Sequence, residues 1–261
     1  MPAWFKPRAL GPLWSVYEAI AMVLGLGMLG VLCLAWLPFA LALLPLPGQW
    51  RRRLARRTHS CVLRFYLGFL SCFCACRFDL KALDALPQQG PLVVVANHPS
   101  LLDAVLIISR LPNVVCIMKA TLLRNPLLGV TAQLAGYISN AGPLEMMLNA
   151  RTAMAQGAQL LVFPEGSRTR NFPIDTCLPS ACMLARAAGV PVQTLLIECS
   201  TPYLGKAWPL LRPPQLPLHF RVVLGQRFEV PADIATMTQQ METYFRNELR
   251  ARPVLKAGEE R

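Results

Sequence analysis

From Ala19 to Trp50 the chain runs for 32 residues without a single Asp, Glu, Lys, Arg or His. A membrane-spanning helix takes roughly 20 apolar residues, so this run is long enough for one span even though Pro38 interrupts it. It is followed at once by RRRLARR, residues 51–57, with five arginines. A basic cluster beside an apolar segment suits anionic lipid head groups and marks its side of the membrane as cytoplasmic. A second apolar patch, FYLGFLSCFCAC at 65–76, has 12 residues. That is too short to span, and with Arg64 at its flank it reads as an interfacial or re-entrant helix. Lys6 and Arg8 make the other flank basic too, which leaves a single span and a one-leaflet hairpin both open. Residues 1–80 are therefore expected to be membrane-anchoring helices, and residues 81–261 a separate folded domain.

A cleavable leader is the competing reading, because Ala40-Leu41-Ala42 has the small-x-small look of a cleavage site. The run is much longer than the usual core of about 7–15 residues, which argues for its retention. Nine cysteines are an odd number, and Cys72, Cys74 and Cys76 alternate inside an apolar patch. Neither paired CxxC units nor Cys/His groups at zinc spacing occur, so the thiols are expected to be reduced and structural, with no metal. Composition agrees with a lipid partner. Hydrophobic residues make up 54% and charged residues 15%, against about 45–50% and 25% in soluble domains. Net charge is +12, with ten Lys/Arg against three Asp/Glu in residues 1–90. A basic excess can serve nucleic acid or an anionic membrane. No nucleic-acid-binding motif or aromatic-interleaved basic patch appears, so nucleic acid is not expected as a partner.

Beyond Leu80 short apolar runs alternate with helical stretches. Strands are expected at Leu92–Ala96, Val114–Met118, Tyr137–Ser139, Leu160–Phe163, Val192–Glu198 and Leu218–Leu224. Helices are expected at Leu101–Arg110, Leu122–Ala135, Leu144–Gln156, Pro179–Ala188 and Ile234–Leu249. Such alternation implies an α/β fold, a mixed, mostly parallel sheet flanked by helices, here with the membrane-associated helices before it. The first four strands are nearly continuous apolar runs, as buried parallel strands should be. Pro213, Pro214 and Pro217 are expected to set off an edge hairpin, and a polar tail follows Pro253.

The first candidate site is NHPSLLD, residues 97–103, directly after the apolar run PLVVVA. On one unbroken helix, residues five apart lie about 140° apart and could not touch. Pro99 removes that difficulty by pushing His98 out of the helical region. With Ser100 as N-cap, Asp103 falls in the first turn and can reach back to the imidazole, which makes a general base with its orienting carboxylate. The bland alternative is a capping box, in which Asp103 only satisfies an amide. The second candidate is LLVFPEGSRT, 160–169, where Gly166 allows close backbone approach, Ser167 offers a hydroxyl and Arg168 a forked donor suited to phosphate. Its bland alternative is a surface turn with a local Glu165–Arg168 pair. The third is Lys119, in MKATLLRNPLLG at 118–129, at the end of another strand. Three strand ends thus gather a base, a carboxylate, an anion-binding turn and a lysine on one edge of the sheet.

NHPSLLD followed some 60 residues later by FPEGSRT resembles the glycerolipid acyltransferase family, which includes the 1-acylglycerol-3-phosphate acyltransferases. The resemblance covers roughly residues 85–200. It implies that His98 and Asp103 form the catalytic dyad. Glu165, Gly166, Ser167 and Arg168 would bind the acceptor's phosphate, with Lys119 assisting. Val190-Pro191-Val192 is similar to the block linked to the acyl donor. One block departs from the family. Where it has an Asp-Arg pair that helps hold glycerol phosphate, GYISNAG at 136–142 has Ala141 and Gly142.

The resemblance implies a membrane-bound O-acyltransferase of phospholipid biosynthesis that needs no cofactor. Acyl-carrier protein or acyl-CoA would be the donor, and a lysolipid, with 1-acylglycerol-3-phosphate leading, the acceptor. Its home would be the cytoplasmic membrane, in contact with anionic lipids, with the catalytic domain facing the cytoplasm. Loss of the arginine block leaves room for an amino-acid lipid or glycolipid acceptor. Two other classes stay open: a serine hydrolase using Ser100 or Ser167, neither in a G-x-S-x-G elbow, and a non-catalytic membrane protein that binds acyl carriers.

Overall fold

The computed structural model describes residues 11–125, 129–230 and 232–252. Lys6 and Arg8, and the tail after Pro253, lie outside the described residues. Two long helices come first, α1 (Gly11–Leu43) and α2 (Gly48–Phe73). They run antiparallel: the Tyr17 hydroxyl donates to Phe73 O at 3.1 Å, that of Tyr66 to Gly25 O at 3.2 Å, and the Trp36 and His59 rings stand 6.1 Å apart. Gly25 sets the closeness of this packing, since a Cβ there would come within 3.1 Å of Leu70 Cδ2. α1 carries Pro38 inside it and is the one helix among the described residues long and apolar enough to cross a membrane. Leu13, Val16, Ile20, Val23, Val31 and Leu34 are exposed along it. With exposed Gly27 between Val23 and Val31, positions three or four apart give one continuous apolar face.

α2 departs from the expectation of two separate pieces. Residues 65–73 do not form an interfacial helix of their own; they are the second half of the helix that begins in the arginine run. Tyr66, Leu67 and Leu70 are buried in the main core, while Phe65 and Phe73 on the other side of the helix stay exposed, so the patch faces both ways. Nor do all five arginines face outward. Arg56 is 5% exposed, and its Nε and Nη1 donate to Ala135 O and Asn113 Oδ1, each at 2.8 Å. Burial pushes its pKa down to about 10, which still leaves it charged at neutral pH.

After α2 the chain enters a seven-stranded sheet. Its strands are β1 (Cys76–Asp79), β2 (Val93–Ala96), β3 (Val114–Met118), β4 (Ile138–Ser139), β5 (Gln159–Val162), β6 (Val192–Cys199) and β7 (Leu218–Phe228), in the order β1-β7-β6-β2-β5-β3-β4. Every neighbouring pair is parallel except β6–β7. The mixed, mostly parallel α/β sheet expected from the sequence is therefore present. Four details differ. β1, at 76–79, falls within the stretch expected as anchor, yet it pairs with β7 from Cys76↔Leu218 onward. The late prolines do not set off an edge hairpin, because β7 lies between β6 and β1. The helix expected over 122–135 is two pieces, α4 (Ala120–Leu123) and α5 (Gly129–Leu134), on either side of residues 126–128, outside the described set. The helix expected from Leu101 begins at Asp103, as α3 (Asp103–Arg110), with Leu102 and not Ser100 at its cap. The remaining helices are α6 (Pro143–Ala155), α7 (Ser180–Ala188) and α8 (Ile234–Ala251).

β2 and β5 are buried at every residue, which is why their sequences lack alternation. All nine cysteines are free. The buried arginine gives a direct test of how α2 is held. Replacing Arg56 by Met leaves the Ala135 carbonyl without its donor, an unpaired buried group that costs about 1–3 kcal/mol. Arg56→Met is expected to lower the denaturation midpoint in detergent by that amount, whereas Arg57→Met, at an exposed position, should leave it within about 0.5 kcal/mol.

Candidate active site

β2, β3, β5 and β6 run parallel, so their C-terminal ends share one edge of the sheet. His98 follows β2, and its Nδ1 lies 2.8 Å from Asp103 Oδ2. The same carboxylate oxygen accepts the Ser100 N–H at 2.7 Å. The capping contact and the histidine contact are thus one arrangement, not alternatives. Because Oδ2 accepts from a backbone amide, Asp103 is present there as an acceptor, and the network assigns Nδ1 as the imidazole donor. Nε2 then carries the lone pair. It makes no hydrogen bond among the described residues, and the ring is partly open to solvent. Phe163 stacks on the imidazole with centroids 4.0 Å apart and planes 17° apart, which fixes the ring's face.

Asp103 itself is fully buried. Burial pushes its carboxyl above the ordinary carboxylate range, while the bonds from His98 and Ser100 pull the other way. A carboxylate with raised proton affinity is a strong acceptor, suited to hold an imidazolium.

Glu165 was expected to meet an acceptor's phosphate, and the structure puts its carboxylate elsewhere. Oε1 accepts from His98 N and Thr169 Oγ1, each at 2.9 Å, and Oε2 accepts from Asp175 N at 3.0 Å. Both oxygens are committed to the protein, and Glu165 is 8% exposed. Burial raises its carboxyl's pKa against the three donors. It acts as a clamp on the backbone of the histidine. Thr169 N completes the clamp by donating to His98 O at 2.8 Å. Gly166 is needed for its conformation, φ +64°, in the turn closed by its amide to Phe163 O. Ser167 Oγ donates to Arg168 O at 3.2 Å.

Arg168 is half-buried, and its Nη1 donates to Leu204 O at 2.7 Å and Gly205 O at 3.1 Å. The loop after β6 is thereby tied into the site. Ser100 Oγ also donates to Tyr203 O, and Leu101 N to Leu204 O. Lys119 is exposed at the start of α4. It belongs to a cation cluster: the Arg170 guanidinium above all, with Lys119 and Arg168, holds the Lys206 ammonium below its usual range. Ala141 and Gly142 lie just past β4, where Asn140 N donates to Met118 O beside the Lys119 strand end. Among the described residues no group of three or more His, Cys, Asp or Glu could share a metal ion.

The site uses several residues that the sequence pattern did not single out. Asn97 is fully paired with the β6 backbone, Nδ2 to Ile197 O at 2.9 Å and Oδ1 from Ile197 N at 2.7 Å. It had a signal, since a buried Asn at a strand end needs partners. Phe163, Thr169 and Arg170 lay inside or beside the quoted blocks, and only their roles were hidden. Lys206 had no local signal, because the loop that brings it here lies some 40 residues further along the chain.

An α/β sheet with a carboxylate-oriented histidine at its strand ends, rimmed by cations, defines a transfer or hydrolytic site for anionic or ester-bearing substrates. Comparison with known proteins narrows this. The acyltransferase family profile matches residues 77–198. The lyso-ornithine lipid O-acyltransferase of Pseudomonas aeruginosa is 31% identical over 182 residues, 68% of this chain and 66% of that one. The 1-acyl-sn-glycerol-3-phosphate acyltransferase alpha of Ovis aries is 30% identical over 144 residues, 52% of this chain. That match spans about half the relative's own length, 50%. The crystal structure of the 1-acyl-sn-glycerophosphate acyltransferase PlsC from Thermotoga maritima superposes with a TM-score of 0.70 at 18% identity, covering 93% of this chain and 98% of that one. The chain belongs to the glycerolipid and lysophospholipid acyltransferase family, and its fold is that of the Thermotoga protein.

If Glu165 is a clamp, Glu165→Gln should disturb the histidine loop before anything binds. The amide places an NH₂ against an N–H or hydroxyl donor, leaving one buried group unpaired at about 1–3 kcal/mol. Hydrogen exchange at the His98 and Thr169 amides is expected to quicken in this variant. Unchanged protection at both would show that Glu165 does not hold the loop.

Proposed function

We propose that the protein is a membrane-bound O-acyltransferase that moves a fatty acyl chain from acyl-carrier protein or acyl-CoA to the hydroxyl of a lysolipid. The observation that carries this reading is the 2.8 Å Nδ1–Oδ2 contact, which leaves Nε2 of His98 as the free basic nitrogen at the sheet edge. His98 takes the acceptor's hydroxyl proton as that oxygen attacks the thioester carbonyl. Asp103 holds the tautomer and stabilises the imidazolium that forms. The tetrahedral intermediate then expels the thiolate, and the imidazolium returns its proton to the leaving sulfur. No enzyme nucleophile is required. Ser100 Oγ is buried and donates to Tyr203 O, and Ser167 Oγ donates to its neighbour's carbonyl, so a serine-hydrolase reading has no hydroxyl bonded to the base.

Lys119 and Arg168, with Arg170 and Lys206, support an anionic group on the acceptor. A 1-acylglycerol-3-phosphate is the leading acceptor. A lyso-amino-acid lipid is the second, favoured by Gly142 standing where the family has an arginine and by the likeness to the lyso-ornithine enzyme. α1 lies along α2, and α2 packs on the sheet domain through Ser60 Oγ and the Arg64 guanidinium to Ser109 O. A helix held flat in this way supports anchoring in one leaflet over a free-standing span. The exposed arginines of α2 support a cytoplasmic, anionic face. In this reading α1 and α2 are the anchor and the rest of the chain is the catalytic domain.

His98→Ala is expected to lower turnover by ~10²–10⁴-fold with the fold retained. Asp103→Asn should cost comparably, because an amide nitrogen facing Nδ1 selects the wrong tautomer. Near-normal turnover in both, or a stable covalent adduct with a serine-directed phosphonate, would overturn the dyad mechanism.

The acceptor is tested separately with a panel of lysophosphatidate, other lysolipids and non-phosphorylated acceptors. A Cβ at Gly142 would lie 3.6 Å from Glu145 Cβ, an ordinary contact, so Gly142→Arg should fold. A new buried charge-assisted contact is worth about 1.5–3 kcal/mol, and the variant should favour lysophosphatidate by roughly one to two orders of magnitude more than the parent does. Exclusive use of lysophosphatidate by the parent, unmoved by Gly142→Arg, would remove meaning from the glycine.

A further inference from the structure

We propose that Lys206, on the loop after β6, is a specificity-determining residue whose ammonium binds the phosphate of the acceptor's head group. The proposal rests on the acyltransferase reading above and adds the residue that selects a phosphate-bearing acceptor. Backbone contacts place it. The loop lies on the His98 turn, where Leu101 N donates to Leu204 O at 3.1 Å and Ser100 Oγ to Tyr203 O at 2.7 Å. A Cβ at Gly205 would stand 3.1 Å from Pro99 O and 2.7 Å from Pro202 O. The loop comes this close because position 205 carries no side chain. Lys206 is the next residue, its Cα only ~3.8 Å further on. Gly205 O accepts from Trp208 N at 3.2 Å. Lys206 is therefore the second residue of a turn, and its side chain is exposed.

A second cation arrives by a similar route. Thr169 N donates to His98 O at 2.8 Å, and Arg170 follows. Arg170 and Lys206 each stand one residue beyond a backbone contact with the catalytic turn, at His98 and Pro99 in succession. Their charges meet, since the Arg170 guanidinium acts on the Lys206 ammonium most strongly, ahead of lost hydration, Lys119 and Arg168. Like charges gathered about one ammonium repel, and an anion among them relieves that repulsion. Neighbouring charged groups are committed to the protein. Both oxygens of Glu165 accept bonds, and Arg168 Nη1 is held by Leu204 O and Gly205 O. Asp175 accepts from Arg170 N, Asn171 N and Asn171 Nδ2. The Lys206 ammonium makes no ion pair or hydrogen bond among the described residues. A compact ammonium on a flexible stem suits a phosphate as a point charge. A phosphomonoester carries about −1.5 to −2 at pH 7, so it gains more here than a zwitterionic head group. A phosphate thereby keeps a lysine partner although Gly142 offers none.

The test uses the full chain in neutral detergent. Its five lysines are methylated with isotopically labelled formaldehyde, and Lys206→Arg identifies the methyl resonance of residue 206. Inorganic phosphate and sn-glycerol 3-phosphate are the probes, with glycerol and glycerophosphocholine as controls. The 206 resonance is expected to shift with both phosphates and with neither control. Its titration should move to higher pH when they bind, because an anion favours the ammonium. The resonance of Lys81, exposed between β1 and β2, should stay in place. Kinetics then separate the sources of phosphate. With 1-acylglycerol-3-phosphate, Lys206→Ala should raise KM by about tenfold, the loss falling on KM more than on kcat, and Lys206→Arg should restore it. With 1-acylglycerol, which has no phosphate, KM should not rise, nor should that of acyl-CoA or acyl-carrier protein. A rise in the donor's KM instead would assign the anion to the donor and overturn the inference. A 206 resonance unmoved by phosphate, or a loss confined to kcat, would overturn it too. If the parent chain transfers no acyl group to any acceptor, the acyltransferase reading falls, and the methyl resonance alone decides whether Lys206 binds phosphate.

Discussion

A buried carboxylate with no solvent contact is costly unless donors meet it, and at Asp103 that demand is met on one oxygen, while Oδ1 has no hydrogen-bond partner among the described residues. Its Oδ2 takes both the His98 ring and the Ser100 amide. Those two bonds set where the strand-end loop turns, which tautomer the imidazole holds and where α3 begins. The rest of the strand-end architecture supports the loop from outside. Asn97 ties it to β6 as a strand residue would, and Glu165 and Thr169 clamp the two polar groups of the His98 backbone. A general base needs sub-ångström placement, and here the backbone that carries it is held on three sides.

Much of this was legible in the residues. The buried strands announced themselves as continuous apolar runs, and Pro99 correctly implied that the histidine stands outside the helix. Other features resisted reading for physical reasons. The 65–76 patch has the same composition whichever of its sides meets the core, and only α3 and the sheet, far along the chain, select Tyr66, Leu67 and Leu70 for burial. Cys76–Asp79 is too short and too mixed to read as a strand without its partner β7. Ser100 does accept the Leu102 amide on its Oγ as an N-cap would, yet its hydroxyl also donates to Tyr203 O, a partner no local pattern contains. A ligand role for Glu165 came only from the resemblance to the family, and no local pattern showed that both its oxygens would meet protein donors. Its burial against three donors is the more stable use of the charge.

The helical hairpin is joined rigidly to the sheet that carries the His98 loop. α2 shares the core with the sheet and makes no free-standing stalk, while Tyr66 and Cys74 bind it to the α1 backbone. The apolar face of α1 therefore has a fixed attitude to the strand ends.

The division of labour across the sheet also explains how an acceptor-binding arginine can be missing while the dyad is intact. The base and its carboxylate sit on the loop after β2, in the middle of the sheet, clamped from β5 and β6. Gly142 sits past β4, the outermost strand, whose only strand partner among the described residues is β3. A change there touches no hydrogen bond of His98 or Asp103. The cations nearest the site come from three other places, the α4 start, the turn after β5 and the loop after β6. Positive charge at this edge is thus spread over several elements and does not depend on a residue at 142. In the proposed reading the base therefore stands in the middle of the sheet and the altered acceptor contact at its outer strand.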